Sequence, residues 1–144
     1  MSQLRRHSAW VLGLVAFAGV LISLYLTATK LAGVPPICGP SAGCETVEAS
    51  PYSSILGIPV ALLGAMFSAT LVGLALVWGR YGERRALYAA YGLGLAGTLV
   101  EVYLVYLELF VIHAVCLWCT AYGVTVVGGW LLTIWAMRLE PEGR

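Results

Sequence analysis

The sequence has no aspartate and no asparagine, its only lysine is Lys30, and charged residues make up 10% of its 144 positions. With a net charge of +1 and no run of basic residues, it offers no electrostatic footprint to a phosphate backbone, so nucleic-acid binding is set aside. So little charge also argues against a water-soluble globule. Hydrophobic residues reach 60% and the mean hydropathy is +0.89, far outside the usual soluble range.

Four stretches supply the roughly 20 apolar residues that a helix needs to cross a bilayer core of about 30 Å: residues 9–28, 55–78, 86–106 and 112–137. The expected fold is an all-α integral membrane domain over residues 1–144, a bundle of four transmembrane helices. Arg5 and Arg6 before the first stretch resemble the start of a signal peptide, but the apolar run is too long for one, so a retained helix is expected. Arginines also lie in the turn after the second stretch (Arg80, Arg84, Arg85) and beyond the fourth (Arg138, Arg144). By the positive-inside rule both termini and the central turn are cytoplasmic. The Lys30 to Ser54 loop and the short turn before Cys116 then face outward, which makes this an extracytoplasmic cysteine loop between helices one and two. Trp10, Trp78, Trp118 and Trp135 fall near helix ends, as an aromatic belt requires.

Pro35, Pro36, Gly39, Pro40, Gly43 and Pro51 break any helical pattern in the outer loop, whose length suits a lid. In helix three, Gly92, Gly94 and Gly97 match a G-x-G-x-x-G string. No strand precedes them, so Ala90/Gly94 and Gly92/Ala96 are read instead as small-xxx-small spacings for close helix packing.

Chemistry resides in four cysteines, all expected on the outer side. Cys116 and Cys119 form a C-x-x-C at the start of helix four, one turn apart on one helical face, a separation that suits a disulfide. A cysteine opening a helix feels the positive end of the dipole, which favours the thiolate. Two buried, inert cysteines are the bland alternative. Cys38 and Cys44 lie in the loop, either as a staple or as the mobile half of a relay passing electrons to the C-x-x-C by disulfide exchange. A four-thiolate zinc site is a third possibility. The spacing is not the usual knuckle and an oxidising face disfavours four free thiols, so no metal is expected.

The ordered set of Cys38 and Cys44, Ser50-Pro51-Tyr52, Gly57-Ile58-Pro59 and Cys116 to Cys119 resembles the vitamin K epoxide reductase family in its bacterial, single-domain form. That resemblance implies a membrane thiol:quinone oxidoreductase. Cys119 would react with the quinone, Cys116 would exchange with the loop, Cys44 would be its partner, and Cys38 would meet an external protein. Ser50 matches a loop serine that supports the quinone site; a cap for the helix expected near Ile55 is its other reading. The quinone would be ubiquinone or menaquinone in a bacterial inner membrane. Many bacterial members carry a fused thioredoxin-like domain; none follows here, so a separate thioredoxin-like extracytoplasmic partner is expected. Tyr122 does not reproduce the spacing of the vertebrate tyrosine, which argues against epoxide reduction and drug sensitivity.

Glu101 is read as the one ionisable residue well inside a helix, serving either packing or a proton path to the quinone. His113, just before the C-x-x-C, is a candidate proton donor or a solvated interfacial residue. Trp118 is a candidate wall of the quinone site. The alternative from another class is a structural or channel-like membrane protein with stapling disulfides, although its helices lack the polar face that a channel needs.

Overall fold

A computed structural model of the chain describes residues 2–38 and 43–140. The expected breaks at Gly39 and Pro40, and Arg144, lie outside these residues. Four long helices, α1 (Ser2–Ala32), α3 (Val60–Tyr81), α4 (Arg84–Tyr106) and α5 (Leu117–Leu139), are each long and apolar enough to cross a membrane. A short α2 (Gly43–Ala49), a 3-10 turn (Pro51–Ser53) and a two-residue hairpin, β1 (Ser54–Ile55) with β2 (Ile58–Pro59), connect α1 to α3. Helix α1 packs on α3 and α5, and α4 packs on the same two, so the helices form a closed ring.

Small residues set the seams, because apolar helices in lipid gain by close approach rather than by leaving water. Ala9, Trp78, Ala86, Leu87 and Ala136 pack together at one end, and Ala16, Leu71 and Ala90 nearer the middle. Trp78 is 2% exposed, so it belongs to this core and not to an outer aromatic belt. Ala90 and Gly94 are buried as their spacing suggested, with Gly94 against Trp130 of α5. Gly92 and Ala96 are exposed, so the second spacing does not pack. A side chain at Gly82 would meet the Arg5 guanidinium, which puts the N-terminal arginines beside the α3–α4 turn, at the end opposite the cysteines.

Several boundaries differ from the sequence reading, among them α1, which runs over Ser2–Ala32 instead of 9–28. Helix α3 starts at Val60 and not near residue 55, because Leu56 and Gly57 have φ of 54° and 82° and form the tip of the hairpin. Two consecutive left-handed residues stop a helix from forming through them. The connection read as non-helical contains α2, which the glycines and prolines on either side had hidden. The third spanning helix continues past Tyr106 as one π-helical turn, Leu107–Ile112, and ends where His113 enters the left-handed region at φ 58°. Helix α5 accordingly starts at Leu117 instead of Ile112, with Cys116 as its cap.

Candidate functional site

Cys116 does not continue a helix but caps one. Its backbone is extended, and its Sγ accepts the Cys119 N–H at 3.4 Å. Both this bond and the dipole of α5 stabilise negative charge on the sulfur. The Cys116 thiol is lowered from its ordinary range, mainly by the Cys119 side chain and then by the Cys119 and Trp118 amides, with burial opposing. Exchange that uses this thiolate is expected to hold its full rate below the usual thiol range of about 8.5, failing only as the pH falls through the lowered value. A pH series of exchange rates measured by acid-quenched alkylation checks this.

Loop and helix cysteines meet. Cys38 and Cys44 form a disulfide, while Cys116 and Cys119 are free thiols. Cys116 Sγ lies 3.2 Å from Cys44 Sγ, and both residues are fully buried. Around them pack Val47, Ile112 and Ala114, which exclude water from the exchange point. The sulfurs of Cys38, Cys44 and Cys116 fall within 4.8 Å of one another. Two of them are bonded to each other here, so this state does not supply the free thiolates that a zinc site needs.

The lid that carries Cys44 is held at both ends. At the far end, Lys30 donates to the Glu48 carbonyl and to Ser53 Oγ, the latter at 2.7 Å, fixing the C-terminus of α2. Ser53 Oγ in turn donates within 2.8 Å of the Glu48 and Ser50 carbonyls. The Glu48 carboxyl is raised from its ordinary range by burial, with the Lys30 charge partly offsetting this. At the near end, the Ile37 N–H donates to Tyr25 Oη at 3.0 Å, and the Trp118 indole donates to the Ile37 carbonyl at 2.8 Å. The Tyr25 and Trp118 rings touch, with centroids 4.7 Å apart. Trp118 therefore clamps the chain before Cys38.

Behind the cysteines lies a cavity of about 420 Å³, lined from all four long helices and roofed by α2 and the 3-10 turn. That volume lies in the range of small-molecule sites, and its walls are mostly apolar. Cys119, Ser50, Glu101 and Glu108 line it, together with Glu48 and Tyr122. Ser50 Oγ donates to the Val47 carbonyl at 2.7 Å and makes no capping bond, so it does not cap α3. Glu101 is buried and presses its carboxylate on Gly123 of α5.

Trp118 and His113 are not among the residues that line the cavity. His113 is exposed, and its backbone N–H bonds the Glu108 carbonyl. Its position is accounted for by ending the π turn in a conformation that costs a non-glycine residue about 1 kcal/mol. A His113→Gly variant is expected to keep quinone reduction within about twofold and to gain up to about 1 kcal/mol in stability. Steady-state rates and thermal unfolding read the two effects.

Two wall residues were missed by sequence reasoning. Glu108 was read as lying beyond helix three, but the π turn carries the helix through it and buries it at 7% exposure. The signal was its position seven residues after Glu101, two helical turns along the same face. Tyr122 was set aside on spacing, yet its hydroxyl donates to the Gly64 carbonyl at 2.9 Å and pairs with Ser68 Oγ at 3.1 Å at the cavity wall.

A capped C-x-x-C, a loop disulfide in contact with it and an apolar cavity behind them are the parts of a membrane redox protein. The model of the vitamin K epoxide reductase family matches residues 10–134. The chain belongs to this family. Membership makes it a multi-pass membrane protein and an oxidoreductase. The match runs from the first turns of α1 into the last turns of α5, so it takes in all four cysteines and the cavity.

Proposed function

We propose that this family member oxidises an extracytoplasmic dithiol protein and passes the electron pair to a quinone through its four cysteines. The observation that carries the reading is the 3.2 Å approach of Cys116 Sγ to Cys44 Sγ, with Cys119 next in line at the cavity. A disulfide serving only as a staple has no need of a buried free thiol against one of its sulfurs.

The partner's thiolate attacks Cys38 and releases Cys44. Cys44 then attacks Cys116 of a Cys116–Cys119 disulfide and releases Cys119; the partner's second thiol displaces Cys38 and completes the partner disulfide, and Cys38 closes on Cys44 and releases Cys116. This leaves the loop oxidised and the helix pair reduced, a state consistent with the bonded Cys38 and Cys44 beside unbonded Cys116 and Cys119. Cys119 next gives its electrons to a quinone in the cavity, and Cys116 closes on Cys119. Each turn makes one partner disulfide and one quinol.

The cavity roof would receive the ring of ubiquinone or menaquinone, and Ser50, bonded to the Val47 carbonyl and lining the cavity, would support that roof. Arginines at the opposite end support a reading in which the cysteine end lies outside the cytoplasm of a bacterial inner membrane. The partner would be a separate thioredoxin-like protein meeting the half-buried Cys38.

Stopped-flow quinone absorbance with a dithiol donor tests the reading. Wild-type protein is expected to convert quinone to quinol, and the variant with all four cysteines changed to alanine is not. Equal rates for the two would remove the enzyme reading. Changing Cys38 alone should spare small dithiols as donors and cut off a thioredoxin-like protein.

A further inference from the structure

Quinone reduction takes up two protons as well as two electrons, and the cysteines hold one proton too few. With its sulfur accepting the Cys119 N–H at the positive end of α5, Cys116 is taken to enter as a thiolate and Cys119 as a thiol, so only one proton leaves as their disulfide forms. The second must come from the cavity wall or from water, and the exchange point is sealed against water.

The titratable side chains facing this region are Glu48 from α2, Tyr52 from the 3-10 turn, Glu101 and Glu108 from the third helix, and Cys116, Cys119 and Tyr122 around α5. Among the described residues, Lys30 of α1 bonds the Glu48 carbonyl and Ser53 Oγ, and its charge acts on the Glu48 carboxyl. The Tyr122 proton is committed to the Gly64 carbonyl. Glu48 sits on the lid, and Glu101 is seated on Gly123. Among the described carboxyl groups, Glu108 is the one hydrogen-bonded to the cysteine pair: its Oε2 accepts the Cys116 N–H at 3.3 Å, and its side chain lines the cavity.

We propose, building on the quinone-reductase reading, that Glu108 supplies the second proton to the quinone, so that the negative charge of the Cys116 sulfur reappears on the Glu108 carboxylate. The quinone step is then Cys116 thiolate, Cys119 thiol, Glu108 acid and quinone giving disulfide, Glu108 carboxylate and quinol. Two electrons leave the sulfurs, two protons reach the quinone, and one negative charge is present before and after. In the exchange step the loop dithiol gives up two protons on oxidation. One restores the Cys119 thiol and the other restores the Glu108 acid.

The physical advantage is that no net charge is created in a low-dielectric site, where a new unpaired ion is costly. A thiolate and a carboxylate side by side would repel, so the two groups take turns holding the charge. The Cys116 amide already points at the oxygen that receives it, and a hydrogen bond to an ionised acceptor is the stronger kind.

Glu108→Gln keeps an oxygen for the Cys116 amide and removes the proton. The test uses full-length protein in lipid nanodiscs, with Cys116 and Cys119 reduced, mixed with a short-chain ubiquinone. Thiol oxidation in the variant is expected to slow about 100-fold and to fall with rising pH more steeply than in wild type between about 6 and 8. Combined with Cys119→Ala, Glu108→Gln should still give the yield of trapped Cys44–Cys116 disulfide that Cys119→Ala gives alone, showing that the sulfurs remain in place. A Gln variant at the wild-type rate, one that slows without the pH slope, or one that loses the trapped disulfide would overturn the proposal. Wild-type thiols untouched by quinone would instead overturn the quinone-reductase reading beneath it.

Discussion

Changing Cys119 to alanine is expected to lower dithiol-driven quinone reduction by about 10³-fold or more, the scale on which loss of a reacting nucleophile acts. The same variant should accumulate a stable Cys44–Cys116 disulfide. With its helix partner gone, Cys116 has Cys44 Sγ as its nearest sulfur, at 3.2 Å, and no Cys119 thiol remains to take Cys116 back from a bond to it. Stopped-flow absorbance gives the rate, and peptide mapping under non-reducing conditions identifies the linked pair. A variant that loses activity without building up this species would show that Cys44 and Cys116 do not exchange in the working protein.

Gly43→Val is expected to lower electron passage between the two cysteine pairs by about 100-fold, because displacements near 1 Å at a reacting centre cost that much. Gly43 opens α2, and a Cβ there would overlap the Val115 carbonyl oxygen, one residue before Cys116. Backbone cannot yield as a flexible side chain would, so α2 must lift and carry Cys44 away from Cys116. Overpacking of this kind costs typically about 1–3 kcal/mol, so the bundle should survive while the lid is displaced. Yields of the trapped Cys44–Cys116 disulfide, measured beside the thermal midpoint, separate a lifted lid from a protein that fails to fold.

Much of this architecture was legible in the residues. Long apolar runs fixed the number and rough extent of the spanning helices, since only helices of that length satisfy their own backbone in lipid. The two cysteine pairs announced the chemistry. What stayed hidden depended on local backbone geometry or on distant contacts. No periodicity marks a π turn, so Glu108 was read as lying outside the helix it ends. Trp118 has the composition of a cavity wall, yet its indole is spent on the Ile37 carbonyl 81 positions away, a contact that no local pattern encodes. Lys30 read only as the odd charge on the outer face; that it ties down the lid depends on where Glu48 and Ser53 return in space. Likewise, spacing alone discounted Tyr122, whereas its place follows from helix packing against Gly64 and Ser68.

Because the segment bearing the outer cysteines is fastened by Tyr25 and Trp118 on one side and by Lys30 on the other, opening its disulfide does not release it into solvent. Each sulfur then meets the next at an effective concentration of millimolar or above, set by the scaffold rather than by how much protein the membrane holds. In the proposed relay, transfer is then a unimolecular event: diluting the protein in lipid should leave its internal rate unchanged and slow only the encounters with partner and quinone.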